Sequence, residues 1–582
     1  MNRPADVQAA FCAVLCDEWA RAGVTHAVVA PGSRSTPLLI ALDAEDRIQV
    51  TVVLDERSAG FTALGLGLAS GRPALVVTTS GTASVELHPA VVEAHYAHVP
   101  LIAVTTDRPP ELQEVGAPQT VDQVGLFGKA VRWSAHPGVA SVESQSMWRS
   151  LATRAVAEAA RGPVHLNLAF REPLIGDPAA VAWPPARPEG APWHALGNVA
   201  AAGPDPELVA LLAAHTGGRG LIVAGQGADV DGGAPAVFAL AAHVGWPVLA
   251  DPRSGCRAPH ELLVSTADLL LRSDFADQQP DVVLRLGTPW ASKVLNQWLA
   301  ALPAGVPQVF VDPLGRWADP ERSARYLSST TARGLLQALT GSARPATNTG
   351  WTQGWQQAEA TARATVEQLL AAGGDLELSE PAVAAACLRA GVLFTSSSMP
   401  VRDVEWFGPP VAGARVLCNR GANGIDGVIS TAIGVAQADP DVPVVGLLGD
   451  LAFLYDAGAL LWAARRDVRL SLVVIDNGGG GIFSFLPQAA ALPESRFERY
   501  WGTPHGLDLT RVAASYGVAA TRIDDRTDLD RFLAGAGGPG IRVAVVPSDR
   551  AGNVAAHDRI NSAVAEALGR GHTSSHGGAR TD

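Results

Sequence analysis

Short, continuous apolar runs separated by Ala- and Leu-rich stretches of helical length recur along the whole chain, and they restrict its fold more than any other feature. They fall at residues 27–30, 74–79, 101–105 and 164–168, then at 220–224, 247–250, 282–286 and 308–311, and finally at 392–395, 415–418, 444–448, 472–475 and 541–546. A strand with one wet face alternates apolar and polar side chains, whereas a strand covered on both faces is apolar throughout. The pattern therefore predicts an α/β fold built on parallel sheets. Pro- and Gly-rich stretches at 177–206 and 341–350 divide the runs into three sets. At 582 residues the chain is too long for one core, and the expected organisation is three α/β domains, 1–185, 200–342 and 352–568. Residues 569–582 are small and polar and read as a disordered tail.

Charge and cysteine usage narrow the function classes. A formal net charge of −13 argues against nucleic acid or an anionic membrane as the main partner, although a local basic pocket for a small anion is compatible with it. Lysine occurs only as Lys129 and Lys293, so arginine carries nearly all positive charge. The five cysteines are scattered, without zinc-ligand spacing. Cys12 and Cys16 are spaced to share one helical face as core. Residues 1–10 have no apolar signal core and no run of about 18 apolar residues occurs. A cytoplasmic protein with no membrane partner is expected, in a reducing compartment.

The chemistry concentrates after the apolar runs. Gly449-Asp450-Leu451 follows one run, and Asn477, in Ile475-Asp476-Asn477-Gly478-Gly479-Gly480-Gly481-Ile482-Phe483, follows the next, 27 positions after Asp450. If 451–464 form one helix, the unit is βαβ and both residues face the crevice at the carboxyl edge of a parallel sheet. An aspartate carboxylate, an asparagine amide oxygen and a backbone carbonyl suit Mg²⁺, which keeps few protein ligands and takes phosphate oxygens for the rest. Glycines allow close approach of backbone to phosphate. A turn after a strand and an Asn-Gly turn would look the same. This spacing resembles the cofactor motif of thiamine-diphosphate enzymes, with Leu451 and Asp476 as departures from its usual form.

Near the amino end, Ala30-Pro31-Gly32-Ser33-Arg34-Ser35-Thr36-Pro37 reads as strand, tight loop and helix start, with Ser35 or Thr36 as cap. It is either an anion site or a capped turn with a solvated Arg34. Glu56, in Asp55-Glu56-Arg57, enters a Gly- and Ala-rich helix: burial would raise its pKa, and pairing with Arg57 at a helix start is the alternative. Thr79-Ser80-Gly81-Thr82-Ala83 and Asp107-Arg108-Pro109-Pro110-Glu111-Leu112 also follow strands.

These stretches, with Asn419-Arg420-Gly421-Ala422-Asn423-Gly424-Ile425-Asp426-Gly427, together resemble the 2-succinyl-5-enolpyruvyl-6-hydroxy-3-cyclohexene-1-carboxylate synthase family over residues 1–568. Leu451 is the residue expected there. The resemblance implies a pyrimidine-binding first domain, a central domain without cofactor, and a diphosphate- and Mg²⁺-binding third domain. It implies decarboxylation of 2-oxoglutarate and 1,4-addition of the resulting succinyl semialdehyde carbanion to isochorismate, a step of menaquinone biosynthesis. Thiamine diphosphate and Mg²⁺, with Mn²⁺ as an alternative ion, are the implied cofactors. A homodimer or homotetramer with active sites between subunits is the implied assembly.

Carried over residue by residue, the family pattern makes Glu56 the catalytic acid that engages the aminopyrimidine. Cofactor contacts fall to Glu56, Ser80, Gly81, Ile425, Gly449, Asp450, Leu451, Asn477 and Ile482, with Ile425 as the apolar wedge. Metal ligands are Asp450, Asn477 and, by register, Gly479. Ser33, Arg34, Arg108, Gln119, Lys293, Ser398, Arg402 and Arg420 would hold the anionic substrates. The chain departs from the pattern at Val294, where a basic neighbour of Lys293 is expected, and in the glycine-rich run 478–481. The competing expectations are a different thiamine-diphosphate carboligase, such as an acetolactate synthase-like enzyme, and a non-catalytic relative.

Overall fold

The computed structural model describes residues 3–195, 203–341, 350–464, 466 and 468–571. Its strands form three six-stranded sheets, every pairing within them parallel. The first holds β1 (His26–Val29), β2 (Gln49–Val52), β3 (Ala74–Thr78), β4 (Leu101–Asp107), β5 (Trp133–Ala135) and β6 (Val164–Ala169), in the order β2-β1-β3-β4-β6-β5. The second holds β7 (Gly220–Ala224), β8 (Val248–Ala250), β9 (Leu263–Val264), β10 (Val282–Leu286), β11 (Gln308–Val311) and β12 (Ala324–Ser328), in the order β12-β11-β10-β7-β8-β9. The third holds β13 (Val392–Thr395), β14 (Arg415–Leu417), β15 (Val444–Gly449), β16 (Leu470–Asp476), β17 (Ala519–Arg522) and β18 (Ile541–Pro547), in the order β14-β13-β15-β16-β18-β17.

The first and third sheets thus share one strand order and the second has another. In the two that match, the chain reverses direction across the sheet between the first and third strands in sequence, and such switch points open crevices at the carboxyl ends. The central strands β3, β4, β6, β7 and β10 are buried at every position, as continuous apolar runs require.

One hydrophobic cluster joins the first and third domains. Phe61 and Leu64 of the helix Glu56–Ser70 pack with Ile429 and Ile433 of the helix Val428–Ala438. The two helices touch through glycine: a Cβ on Gly65 would lie 2.1 Å from the Thr431 carbonyl oxygen, and one on Gly434 would lie 2.1 Å from that of Thr62. The helices Gly350–Ala371 and Arg550–Gly571 cover the second domain with Trp355, Ile560 and Val564 against Leu269 and Leu299.

Two expectations need correction. Residues 451–464 are not one helix. The helix Asp450–Asp456 gives way to a 3₁₀ turn, Ala457–Ala459, and then to Leu460–Ala463. Gly458 disfavours helix there, and Asp456 turns inward, accepting from the Ser430 N–H at 2.6 Å and the Ser430 hydroxyl at 3.1 Å. The tail does not begin at 569, because residues 569–571 continue the helix Arg550–Gly571; residues 572–582 lie outside the described residues, as do 196–202 and 342–349 within the two expected boundaries. No helix among the described residues is long and apolar enough to cross a membrane.

Candidate active site

At the carboxyl edge of the third sheet lies a cavity of about 320 Å³. It brings together Ser398, Arg402, Arg420, Ile425, Gly449, Asp450, Leu451, Asn477, Gly479 and Ile482, ten of the residues singled out in the sequence. Each ends or follows a strand: Ser398 and Arg402 come after β13, Arg420 and Ile425 after β14, Gly449 ends β15 with Asp450 and Leu451 after it, and Asn477, Gly479 and Ile482 come after β16.

Asp450 is 2 % exposed and begins the helix Asp450–Asp456. Its carboxylate accepts the Gly479 N–H at 2.8 Å and the Leu451 N–H at 2.6 Å. Burial pushes its pKa above the ordinary carboxylate value, and those two N–H groups pull against it. Asn477 donates its Nδ2 to Glu380 at 3.0 Å, while its Oδ1 is buried without a hydrogen-bond partner. His505 stands 3.4 Å from both Asp450 and Asp476. A buried carboxylate and an unpartnered amide oxygen beside it are the oxygen donors a hard cation takes. The backbone around them is cut to glycine: a Cβ on Gly479 would meet the Gly502 carbonyl at 2.0 Å, and one on Gly480 the Trp501 carbonyl at 2.1 Å. The residues present therefore fit a metal-bound diphosphate.

The cationic wall is equally local. Arg402 donates to the Ser398 carbonyl at 2.5 Å, and Ser398 itself has φ 76°, a conformation that costs energy and clusters at functional sites. Burial lowers the pKa of both Arg402 and Arg420, and the positive charge of Arg253 adds to the effect on Arg420. Arginine remains charged under such shifts. Behind them, Glu405 of the helix Met399–Phe407 accepts the Ala291 N–H at 3.0 Å, which ties the loop before Lys293 to the third domain. Lys293 is exposed at the start of the helix Lys293–Ala301 and is not among the residues lining the cavity.

The first domain carries a second cluster at the corresponding sheet edge: Ser33 and Arg34 after β1, Glu56 after β2, Ser80 and Gly81 after β3, and Arg108 after β4. Ser80 bonds the guanidinium of Arg108 and donates to the Gln119 carbonyl at 2.9 Å. The Gln119 side chain returns a bond to the Ser80 carbonyl at 3.1 Å from a residue with φ 56°. The Gly81 N–H is held by Gln123 at 3.1 Å. Arg34 is 7 % exposed and turns to the Phe170 carbonyl at 3.0 Å and Glu172 at 3.2 Å, while Ser33 is exposed. Ser35 occupies the cap position of the helix Thr36–Asp43 but caps nothing with its side chain, which donates back to the Gly32 carbonyl at 2.9 Å.

Glu56 opens the helix Glu56–Ser70, capped by Asp55 through the Ser58 N–H. Burial raises its pKa, with Asp55 and Glu86 adding to the shift. Arg57 is not its partner: it donates to the Tyr455 carbonyl at 3.1 Å, lies over the Tyr455 ring and sits 3.9 Å from Asp456. No residue of this first-domain cluster lines the third-domain cavity within one chain.

Several residues of the site were not singled out in the sequence. Glu380 accepts from Asn477 and His505 stands beside Asp450, and Glu93 takes the Gly421 and Ala422 N–H groups at 2.6 Å each, anchoring the loop that presents Arg420 and Ile425. Glu380 and Glu93 lie in helices where a charged residue is unremarkable. Only the Ser379 cap before Glu380 was legible, and it reports a helix start alone.

Comparison with known proteins follows the same division of the chain. Residues 11–126 match the family model for the thiamine pyrophosphate enzyme N-terminal TPP binding domain, 201–392 that for the middle domain, and 412–546 that for the C-terminal TPP binding domain. The 2-succinyl-5-enolpyruvyl-6-hydroxy-3-cyclohexene-1-carboxylate synthase of Thermobifida fusca is 44% identical over 96% of this chain and 99% of its own length. The synthase of the same name from Myxococcus xanthus is 41% identical over 98% of this chain and 100% of its own, and that of Chloroflexus aurantiacus 40% over 98% of each.

Proposed function

Because the chain belongs to the 2-succinyl-5-enolpyruvyl-6-hydroxy-3-cyclohexene-1-carboxylate synthase family of thiamine-diphosphate enzymes, we propose that it decarboxylates 2-oxoglutarate and joins the remaining four-carbon unit to isochorismate in menaquinone biosynthesis. The observation that carries this is the cavity in which Arg402, Arg420 and Ser398 stand beside Asp450, Asn477 and the glycine run. An anion-binding wall next to a metal-and-diphosphate cradle suits a substrate with two carboxylates. A simpler 2-oxo acid carboligase, such as an acetolactate synthase-like enzyme, has less use for that wall.

Asp450 and Asn477, with the Gly479 carbonyl, would hold Mg²⁺ and through it the diphosphate, and Mn²⁺ offers the same coordination. Thiamine diphosphate, when bound, supplies the electron sink that lets a 2-oxo acid lose CO2. Glu56, with its pKa raised by burial, would hold a proton in a hydrogen bond to the aminopyrimidine ring nitrogen, while Ser80 and Gly81 line that end. Leu451 and Ile482 would wall the cofactor, and Ile425 would keep it bent. Ser33, Arg34, Arg108, Gln119 and Lys293 complete the proposed substrate contacts with Ser398, Arg402 and Arg420. The assigned units are residues 1–185 for the pyrimidine end, 200–342 for the central domain and 352–568 for the diphosphate end.

The two clusters support an assembly of at least two chains, in which the first domain of one faces the third domain of the other. Leu54, two residues before Glu56, and Tyr455, against Arg57, are 63 % and 53 % exposed and supply apolar surface for such a dimer; a tetramer would pair two dimers. The test is direct. Purified protein with thiamine diphosphate, Mg²⁺, 2-oxoglutarate and isochorismate is expected to release CO2 and the coupled product, detected by mass spectrometry. Cofactor-loaded protein that forms no product would overturn the substrate assignment.

A further inference from the structure

Glu380 lies 97 residues before Asn477 and contacts neither cavity cation, yet it controls which atom Asn477 presents. It is the first residue of the helix Glu380–Cys387, is 2 % exposed, and accepts on Oε1 both the Asn477 Nδ2 at 3.0 Å and the Ser548 hydroxyl at 3.0 Å. A carboxamide has two nearly isosteric orientations, one presenting oxygen and one presenting NH₂. Only the first can ligate a cation. An acceptor fixed behind the amide removes the second, because the flipped form would set the Asn477 oxygen against the Glu380 oxygen and aim two N–H groups at the metal position. The unpartnered, buried Asn477 Oδ1 beside Asp450 is the counterpart of that restraint.

Ser548 completes the clamp. It follows β18, its N–H donates to the Asp476 carbonyl at 2.8 Å, and its hydroxyl holds the carboxylate that holds Asn477. The ends of two neighbouring strands and one helix start thereby fix a single side-chain torsion.

We propose that Glu380 is a positioning residue that locks the Asn477 carboxamide with its oxygen toward the metal, and so sets the affinity for the metal-bound diphosphate. The inference rests on Asp450 and Asn477 being metal ligands. Partners behind metal ligands change affinity on the order of 10–100-fold when removed. The measurement is the Mg²⁺ concentration that half-saturates thiamine diphosphate binding to the full chain, followed by tryptophan fluorescence, with circular dichroism of the cofactor-free protein as the control for folding. Glu380→Leu is expected to raise it by about 10–100-fold, and Glu380→Gln, which keeps an acceptor oxygen, by no more than about threefold. In an Asn477→Ala background Glu380→Leu should add nothing, since the two act as one unit.

An unchanged Mg²⁺ requirement in Glu380→Leu, or the same loss with and without Asn477, would overturn the proposal. So would a loss of about 10-fold or more in Glu380→Gln, which would mean that charge rather than amide orientation matters; should the leucine variant not fold, Glu380→Ala, which also removes the acceptor, takes its place with the same expected loss. If Asn477→Ala binds as tightly as the parent, the metal assignment itself has failed, a result separable from failure of the clamp.

Discussion

Replacing Gly434 by alanine probes the contact that docks the first domain on the third. A Cβ there would lie 2.1 Å from the Thr62 carbonyl oxygen, 2.9 Å from the Leu66 nitrogen and 3.0 Å from the Gly65 Cα. All three are backbone atoms, so no rotamer change relieves them. Ordinary contact begins near 3.4 Å, and the helices must therefore separate by more than an ångström. Overpacking of this kind costs about 3 kcal/mol at its severe end. Alanine returns about 1 kcal/mol as the better helix former, leaving a net loss of about 2 kcal/mol. For a unit of some 200 residues that lowers the unfolding midpoint by about 4–8 °C. Differential scanning calorimetry reads it without assuming a two-state transition. Gly65→Ala should behave alike, and the double variant should lose less than the two together, because one separation accommodates both methyl groups. Turnover should fall further than stability, since the helix that moves begins at Glu56 and misplacement by 1 Å can cost on the order of 100-fold in rate. An unchanged or raised midpoint in Gly434→Ala would refute backbone contact between these helices.

Other residues give sharper single readouts. Glu56→Gln should nearly abolish hydrogen–deuterium exchange at the thiazolium C2 of bound thiamine diphosphate, followed by NMR; exchange at the parent rate removes Glu56 from the chemistry. Asp450→Ala should weaken cofactor binding in a Mg²⁺-dependent manner, and retained affinity in calorimetric titration would refute the metal role. Asp456 offers a pH test: burial pushes it up to about 6 from 3.8, offset in part by Ser430 and Arg57. A raised carboxyl pKa means that the folded chain keeps a proton the unfolded chain has lost, so stability declines as pH rises from about 4 to about 6 and the cost, on the order of 3 kcal/mol, is complete above that. Asp456→Asn should accordingly melt above the parent at pH 7.5 with the gap narrowing toward pH 4.5, and a gap that ignores pH would refute the attribution.

What the sequence revealed of the fold follows burial. Continuous apolar runs marked most of the strands correctly because helices cover both faces of the sheets. The strands that left no such run, β2, β5, β9, β12 and β17, all stand at sheet edges, and only one of the four positions in β2 and none in β17 is buried. An edge strand has one neighbour and less cover, so its residues are selected for little beyond backbone pairing. The broken helix after Asp450 was hidden for a different reason. Its Ala- and Leu-rich composition suits helix, and the inward turn of Asp456 depends on Ser430, which the linear pattern does not connect to it.

The site divided along the same physical line. In the first and third sheets the chemistry follows corresponding strands, with Arg34 and Ser398 after the first, Glu56 and Arg420 after the second, Ser80 and Asp450 after the third, and Arg108 and Asn477 after the fourth. The carboxyl edge of a parallel sheet is where ligands bind, so residues just past the apolar runs could be read as candidates before the topology was known. The groups that brace those candidates could not. An acid in the first turn of a surface helix is favoured by about 0.3–1 kcal/mol, and the sequence around Glu380 shows nothing beyond that common pattern. Its second task, holding an amide 97 residues away, adds nothing to the local pattern, because one carboxylate satisfies the helix dipole and accepts from Asn477 at once. A position that meets a local preference and a distant one with the same atoms is silent in sequence, and only the path of the chain separates the two.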